Sequence, residues 1–154
     1  MKSGLRYGKL AGVMLAGAIL GGCSTPFWGP SVTYSYEPRF GFPAAQTYRW
    51  AEARPTYRHD PLLEANVRYL ADRALEAKGL ASRADKTDLL VWIGYDVDSS
   101  SQRHELRALT LNISRADSNA LVWRGTATGT IRTDADSSDL KSAVEKMLAT
   151  FPPK

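Results

Sequence analysis

The chain changes its hydrophobic rhythm several times, and each change marks an element. Leu10 to Leu20 is an apolar run with no charge in it. Val32, Tyr34 and Tyr36 then alternate with polar neighbours, the period of a half-buried strand. Gln46 to Trp50 is a second, shorter strand candidate, and Arg54 to Arg58 reads as loop. From Asp60 the period lengthens to that of a helix, with Leu63, Val67, Leu70 and Ala74 in one apolar stripe. Asp60 suits the N-cap, and Pro61 suits the first helical position, where no N–H is needed. Gly79 accepts the left-handed conformation that ends a helix, and Leu80 can fold back on Leu75 in a Schellman arrangement.

Alternation returns at Asp88 to Asp98. Leu89, Val91, Ile93, Tyr95 and Val97 fall on one face; Leu90, Trp92, Gly94, Asp96 and Asp98 fall on the other. Ser99 to His104 is a polar turn. Glu105 to Ser114 is the next strand, with Leu109, Leu111 and Ile113 on one side, and Ala116-Asp117-Ser118-Asn119 is a turn cluster. Ala120 to Thr133 is a long strand whose one face carries Leu121, Trp123, Gly125, Ala127, Gly129 and Ile131. Small residues there would let a helix come close, and a β-bulge would flip part of the assignment. Asp134 to Ser138 caps a last helix with the stripe Leu140, Val144, Met147, Leu148 and Phe151, ended by Pro152 and Pro153. The order β-β-α-β-β-β-α, with short turns between strands, predicts an α+β two-layer sandwich. Its sheet is expected to be mostly antiparallel, with four to five strands and both helices on one face.

The leading apolar run is too short to span a bilayer as a helix, which takes about 20 residues. Lys2, Arg6 and Lys9 precede it, and Leu20-Gly21-Gly22-Cys23 follows. A basic start, a short apolar middle and small residues before a cut mark a secretory signal. Cys23 is the only cysteine. The whole set resembles the lipobox of bacterial lipoproteins, with Gly21 where alanine or serine is commoner. That resemblance implies acylation of the Cys23 thiol, cleavage before it and acylation of the new amine. The expected division is a signal peptide over 1–22, a lipidated tether over 23–31 and one periplasmic domain over 32–154. Ser24 after the cysteine, in place of the aspartate that favours inner-membrane retention, points to the outer membrane. The linker STPFWGP allows at most about 30 Å between Cys23 and Val32. Phe27 and Trp28 in it can either dip into headgroups or pack on the domain.

The cut also changes the charge. The formal charge is +4, and losing Lys2, Arg6 and Lys9 leaves the remainder nearly neutral. The remaining arginines are scattered among acids, not clustered on a basic face, so no nucleic-acid partner is expected. With Cys23 acylated, no internal disulfide can form, and the domain rests on its core.

The mature chain also resembles a lipoprotein family catalogued as domain of unknown function 4136. The likeness is carried by VTYSYEP (Val32–Pro38), TYRW (Thr47–Trp50), Asp60–Leu80 with its Lys-Gly stop, TDLLVWIGY (Thr87–Tyr95), Leu109–Gly129 with its Leu-Val-Trp-Arg-Gly run, and AVEKMLATFPPK (Ala143–Lys154). The turn at Ser99–His104 departs from the longer Gly/Tyr/Trp-rich loop of many members. The resemblance implies bacterial, membrane-anchored periplasmic proteins and supplies no catalytic residues.

A search for chemistry finds little. His59 and His104 sit in separate loops, and zinc would want three or four organised ligands, so no metal or cofactor is expected. Ser99, Ser100 and Ser101 lie near His104, and Asp96 or Asp98 could approach it, yet no Gly-x-Ser-x-Gly elbow is present. A binding surface is better supported: Leu90, Trp92, Leu106, Val122 and Arg124 would share the sheet face away from the helices, and Trp and Arg are enriched at interface hot spots. Trp50 and Trp123 read as core. The expected function is thus non-catalytic: a membrane-anchored lipoprotein, held by lipid on Cys23, that binds or positions another envelope component. The alternatives are a small periplasmic hydrolase and a carrier with a lipid or small-molecule pocket.

Overall fold

The structure is a computed structural model and describes residues 29–52, 60–98, 105–134 and 137–153. Its elements are β1 (Ser31–Tyr36), β2 (Thr47–Trp50), α1 (Pro61–Glu76), β3 (Ala81–Ser82), β4 (Leu89–Val97), β5 (Glu105–Arg115), β6 (Leu121–Arg132) and α2 (Asp139–Ala149), with one 3-10 turn at Phe42–Ala44. The signal, Cys23, Phe27, Trp28, His59 and the Ser99–His104 turn lie outside the described residues.

Helix α1 follows its local signals. The Asp60 carboxylate accepts hydrogen bonds from the backbone N–H groups of Leu62 (3.1 Å) and Leu63 (3.0 Å), with Pro61 in the first turn. At the other end Leu80 N–H donates to the Leu75 carbonyl and Gly79 N–H to that of Glu76. Gly79 has φ 88°, which completes a Schellman end. The fully buried stripe runs Leu63, Val67, Ala71 and Leu75, with Leu70 and Ala74 only partly buried beside it. Helix α2 starts at Asp139, whose N–H is met by the Ser137 hydroxyl at 3.1 Å; Ser138 makes no side-chain cap.

The sheet is α+β in setting but differs from expectation in count and direction. It has six strands in the order β1-β6-β5-β4-β2-β3. β4, β5 and β6 form an antiparallel meander, with β1 antiparallel along β6. β2 runs parallel to β4, and β3 parallel to β2. The first two strands, instead of pairing, end up on opposite sides of the meander. The 3-10 turn between them carries the chain across, and α1 makes the crossover that parallel pairing needs.

Both helices cover one face of the sheet. Val91, Ile113 and Trp123 are in register across β4, β5 and β6, as are Tyr95, Leu109 and Ala127. They join the helix stripes in one core. Gly125 lies between these rows; a Cβ there would collide with the Trp123 ring and stand 3.2 Å from Met147 Cβ. Trp123 meets Phe151 edge-on at 5.4 Å, Phe151 meets Phe42 at 5.7 Å, and Phe42 meets Phe40 and Tyr36. This aromatic chain ties the end of α2 to the 3-10 turn and β1.

Register shifts interrupt β5 and β6. Ser114 pairs with Leu121 while Ile113 pairs with Trp123, so Val122 is the extra residue of a bulge. Arg107 is skipped between Leu106 and Ala108 against β4, and Gly129, with φ 125°, falls in the matching irregularity of β6.

Candidate functional site

The sheet face away from the helices is where the sequence places a partner surface, and the bulges redraw it. Leu106 and Val122 do not belong to it. Both are nearly fully buried members of the core, because the extra residues at Arg107 and Val122 break the alternation that would have sent them outward. Leu121, expected inside, is instead 40% exposed. Leu90, Trp92 and Arg124 remain on the outer face.

That face is organised by one row across three strands. Trp92 of β4 is opposite Asn112 of β5, which is opposite Arg124 of β6. Asn112 is buried, and its side-chain oxygen accepts a hydrogen bond from Arg124 Nε at 2.7 Å. The guanidinium of an exposed arginine is thereby tied to the middle strand, in the same row as a half-buried indole. The next row holds Gly94, Thr110 and Thr126, the two hydroxyls 3.3 Å apart. Leu90 and Ser114 are buried on the other side of the Trp92 row. A hollow of about 190 Å³ borders the row, lined by Trp92, Leu90, Leu121 and Arg124 and, from α1, by Glu64 and Arg68.

The α1 side of this region is held by fixed contacts. Arg68 lies over the Trp50 ring at 5.3 Å and near Glu64 at 3.9 Å. Trp50 is half-buried rather than fully core, and its Nε1 donates to Asp72 Oδ1 at 2.8 Å. Tyr48, fully buried, donates its hydroxyl to the same oxygen at 2.6 Å. Burial first, and the hydrogen bond to Asp72 second, push the Tyr48 phenol well above its usual range. The Tyr95 hydroxyl accepts from Asp60 N–H at 2.8 Å, and burial raises its pKa.

Of the groups weighed for hydrolysis, Ser99, Ser100, Ser101 and His104 lie outside the described residues. Asp98 is bonded to Arg107 at 2.8 Å, and Asp96 is exposed on β4. Among the described residues there is no group of three His, Cys, Asp or Glu side chains placed to hold a metal, and no helix long and apolar enough to cross a membrane. Sequence reasoning missed Asn112, which stands at an ordinary polar position in the alternating run Leu109 to Ile113.

A mixed six-stranded sheet with two helices on one face and an ordered polar row on the other defines a small α+β sandwich. The chain belongs to the family described as Domain of unknown function (DUF4136), whose model matches residues 32–153. Its fold is similar to that of a DUF4136 family protein from Bacteroides thetaiotaomicron, at 14% identity and TM-score 0.62, over 80% of this chain and 96% of that one. It is also similar to PelC from Paraburkholderia phytofirmans, solved as a dodecamer, at 16% identity and TM-score 0.56, over 78% and 95%. A PDZ domain protein from Parabacteroides distasonis matches at 14% identity and TM-score 0.59 over 82% of this chain, which spans 37% of that protein's length. No curated protein matches the sequence.

Proposed function

We propose that this chain is a lipid-anchored envelope protein. In this reading acylated Cys23 holds it on the periplasmic side of the outer membrane, and its outer sheet face binds another envelope component without a catalytic step. The anchor is supported by the basic, apolar and small-residue run that ends at Cys23, and the outer membrane by Ser24. The observation that carries the binding role is the Trp92–Asn112–Arg124 row. A buried asparagine on the middle strand accepts from the arginine on one side and pairs with the tryptophan on the other, on the sheet face opposite the core. An arginine already bonded in this way loses less freedom on binding, and Trp and Arg are enriched at interface hot spots.

The test places a photoreactive residue at Thr128, exposed on this face, and another at Lys141, exposed on α2. Crosslinking in intact envelopes should give a discrete adduct from position 128 that Trp92→Ala weakens, and none from 141. Val91→Ala should instead lower stability, by about 1–3 kcal/mol from lost burial and a cavity. Adducts that ignore the face, or that Trp92→Ala leaves unchanged, would refute the binding role. Cys23→Ser should release the protein from membranes; an unmodified Cys23 in the mass spectrum of the wild type would refute the anchor.

A further inference from the structure

Strand β1 is an edge strand with an unusual surface. Edge strands are commonly protected by charge, proline or a bulge. The sequence Ser31-Val32-Thr33-Tyr34-Ser35-Tyr36 has none of these, and its register with β6 is unbroken. Tyr34 and Tyr36 are 51% and 41% exposed, and their rings stack at 6.3 Å with an 18° angle between planes. Two neighbouring tyrosines thus stand half-exposed at the rim of the sheet.

The covalent chain limits what such a rim can meet. Only a few residues separate Cys23 from this strand, and their reach is at most about 30 Å. With Cys23 in a bilayer, two surfaces of the sheet lie nearest the tether. They are the end of the sheet where β1 begins and the β1 edge itself. The registers place the start of β1 at the same end as the close of β4, the start of β5 and the close of β6. Among the described residues that end carries Asp96, Asp98, Glu105, Asp134 and Asp139 against Arg107 and Arg132. Both arginines are already paired, with Asp98 at 2.8 Å and Asp139 at 3.0 Å. An anionic phospholipid surface repels that end. The β1 edge is uncharged and carries the residue type that favours the headgroup region, where a ring is half-solvated and its hydroxyl stays wet.

We infer that the β1 edge, through Tyr34 and Tyr36, is the surface by which the anchored domain lies on a phospholipid bilayer. The inference rests on the anchor proposed at Cys23. It leaves the Trp92–Arg124 face upright beside the membrane and accessible to a partner.

The experiment uses the full lipidated chain in vesicles of phosphatidylethanolamine and phosphatidylglycerol. Mass spectrometry first reads the state of Cys23. Fluorophores are then attached at single introduced cysteines: Ser35→Cys on β1, Arg83→Cys beyond the opposite sheet edge, and Asp134→Cys at the acidic end, all exposed positions. Nitroxide-headgroup lipid should quench the label at 35 several-fold more than those at 83 and 134. The Tyr34→Ser variant, which spares the Tyr36–Phe42 contact, should melt as the wild type does and lose most of that contrast; an undiminished contrast overturns the role of the tyrosines. Strongest quenching at 134, or equal quenching at all three, overturns the orientation while leaving an acylated anchor intact. Energy transfer between labels at 35 on different copies, without lipid quenching, assigns the edge to self-pairing and also overturns it. An unacylated Cys23 overturns the anchor, and this orientation with it.

Discussion

Gly125→Ala should destabilise the domain although it adds one methyl group to a strand. In a permissive backbone such a change stabilises by about 0.4–1 kcal/mol, because it restricts the unfolded chain. Here the added Cβ falls inside contact distance of the Trp123 ring and 3.2 Å from Met147 Cβ. Neither neighbour can give way cheaply. Trp123 is fully buried and wedged by Phe151, and Met147 Cβ is fixed to the backbone of α2. Overpacking of this kind costs about 1–3 kcal/mol, so the net loss should be about 1–2 kcal/mol. For a domain of this size that lowers Tm by about 4–8 °C. Gly94→Ala is the matched control, since its Cβ would meet only Thr110 Cβ at 3.9 Å, an ordinary contact. It should be neutral or slightly stabilising. Thermal and urea unfolding followed by circular dichroism would measure both. If Gly125→Ala unfolds at the same urea concentration as Gly94→Ala, the close packing of Trp123 over Gly125 is wrong.

Three further outcomes follow from local geometry. Gly79→Ala forces a side chain into φ 88° and should cost about 1 kcal/mol in urea unfolding; no change would mean the Schellman end is not formed. Asp72→Ala strips the shared acceptor from the buried Tyr48 hydroxyl and from Trp50 Nε1, and should cost about 1–3 kcal/mol, with Asp72→Asn milder because an oxygen remains; equal losses would show that the acceptor is not what matters. Asp88 is held below its ordinary value of 3.8 by the N–H of Gln46, then by the Thr47 hydroxyl and N–H. A lowered folded pKa means that the stability it lends is complete above 3.8 and fades as pH falls through the lower folded value. Asp88→Asn should therefore flatten the acid side of the stability profile, and an unchanged slope below pH 4 would contradict the assignment.

Helix α1 was legible almost atom by atom, because Asp60, Pro61 and Gly79 act on backbone groups within a few residues of themselves. The strand order was not. β1 finds its partner in β6 and β2 its partner in β4, and alternation in a strand names its faces without naming its neighbours. β3 is two residues long and leaves no period to detect. The bulge at Val122 is equally silent, since valine fits either side of it. Gly129 did carry a signal for the second irregularity, because a glycine in a strand often marks one. The same silence explains the candidate site: Trp92, Leu90 and Arg124 lie where alternation survives, while Val122 and Leu106 lie where an extra residue cancels it.

The core and the proposed binding row are coupled through register. Trp123 and Arg124 are adjacent in the chain, one fully buried and one exposed, each aligned with its partner on β5: Ile113 for the indole, Asn112 for the guanidinium. A slip of one residue would expose the largest core side chain and bury an arginine, so packing alone fixes which way Arg124 faces. The bulge at Val122 limits how far that alignment extends. Before it, Leu121 opens toward the outer hollow; after it, the Trp123 rhythm governs until Gly129. The outer face is therefore short, bounded by irregularities at both ends and concentrated on the Trp92–Asn112–Arg124 row. The β1 edge is a separate surface, joined to that row through Ser35, which pairs with Arg124 on the outer side. Tyr34 and Tyr36 have their partners, Gly125 and Trp123, on the helix side, so the tyrosine pair and the arginine lie on opposite faces.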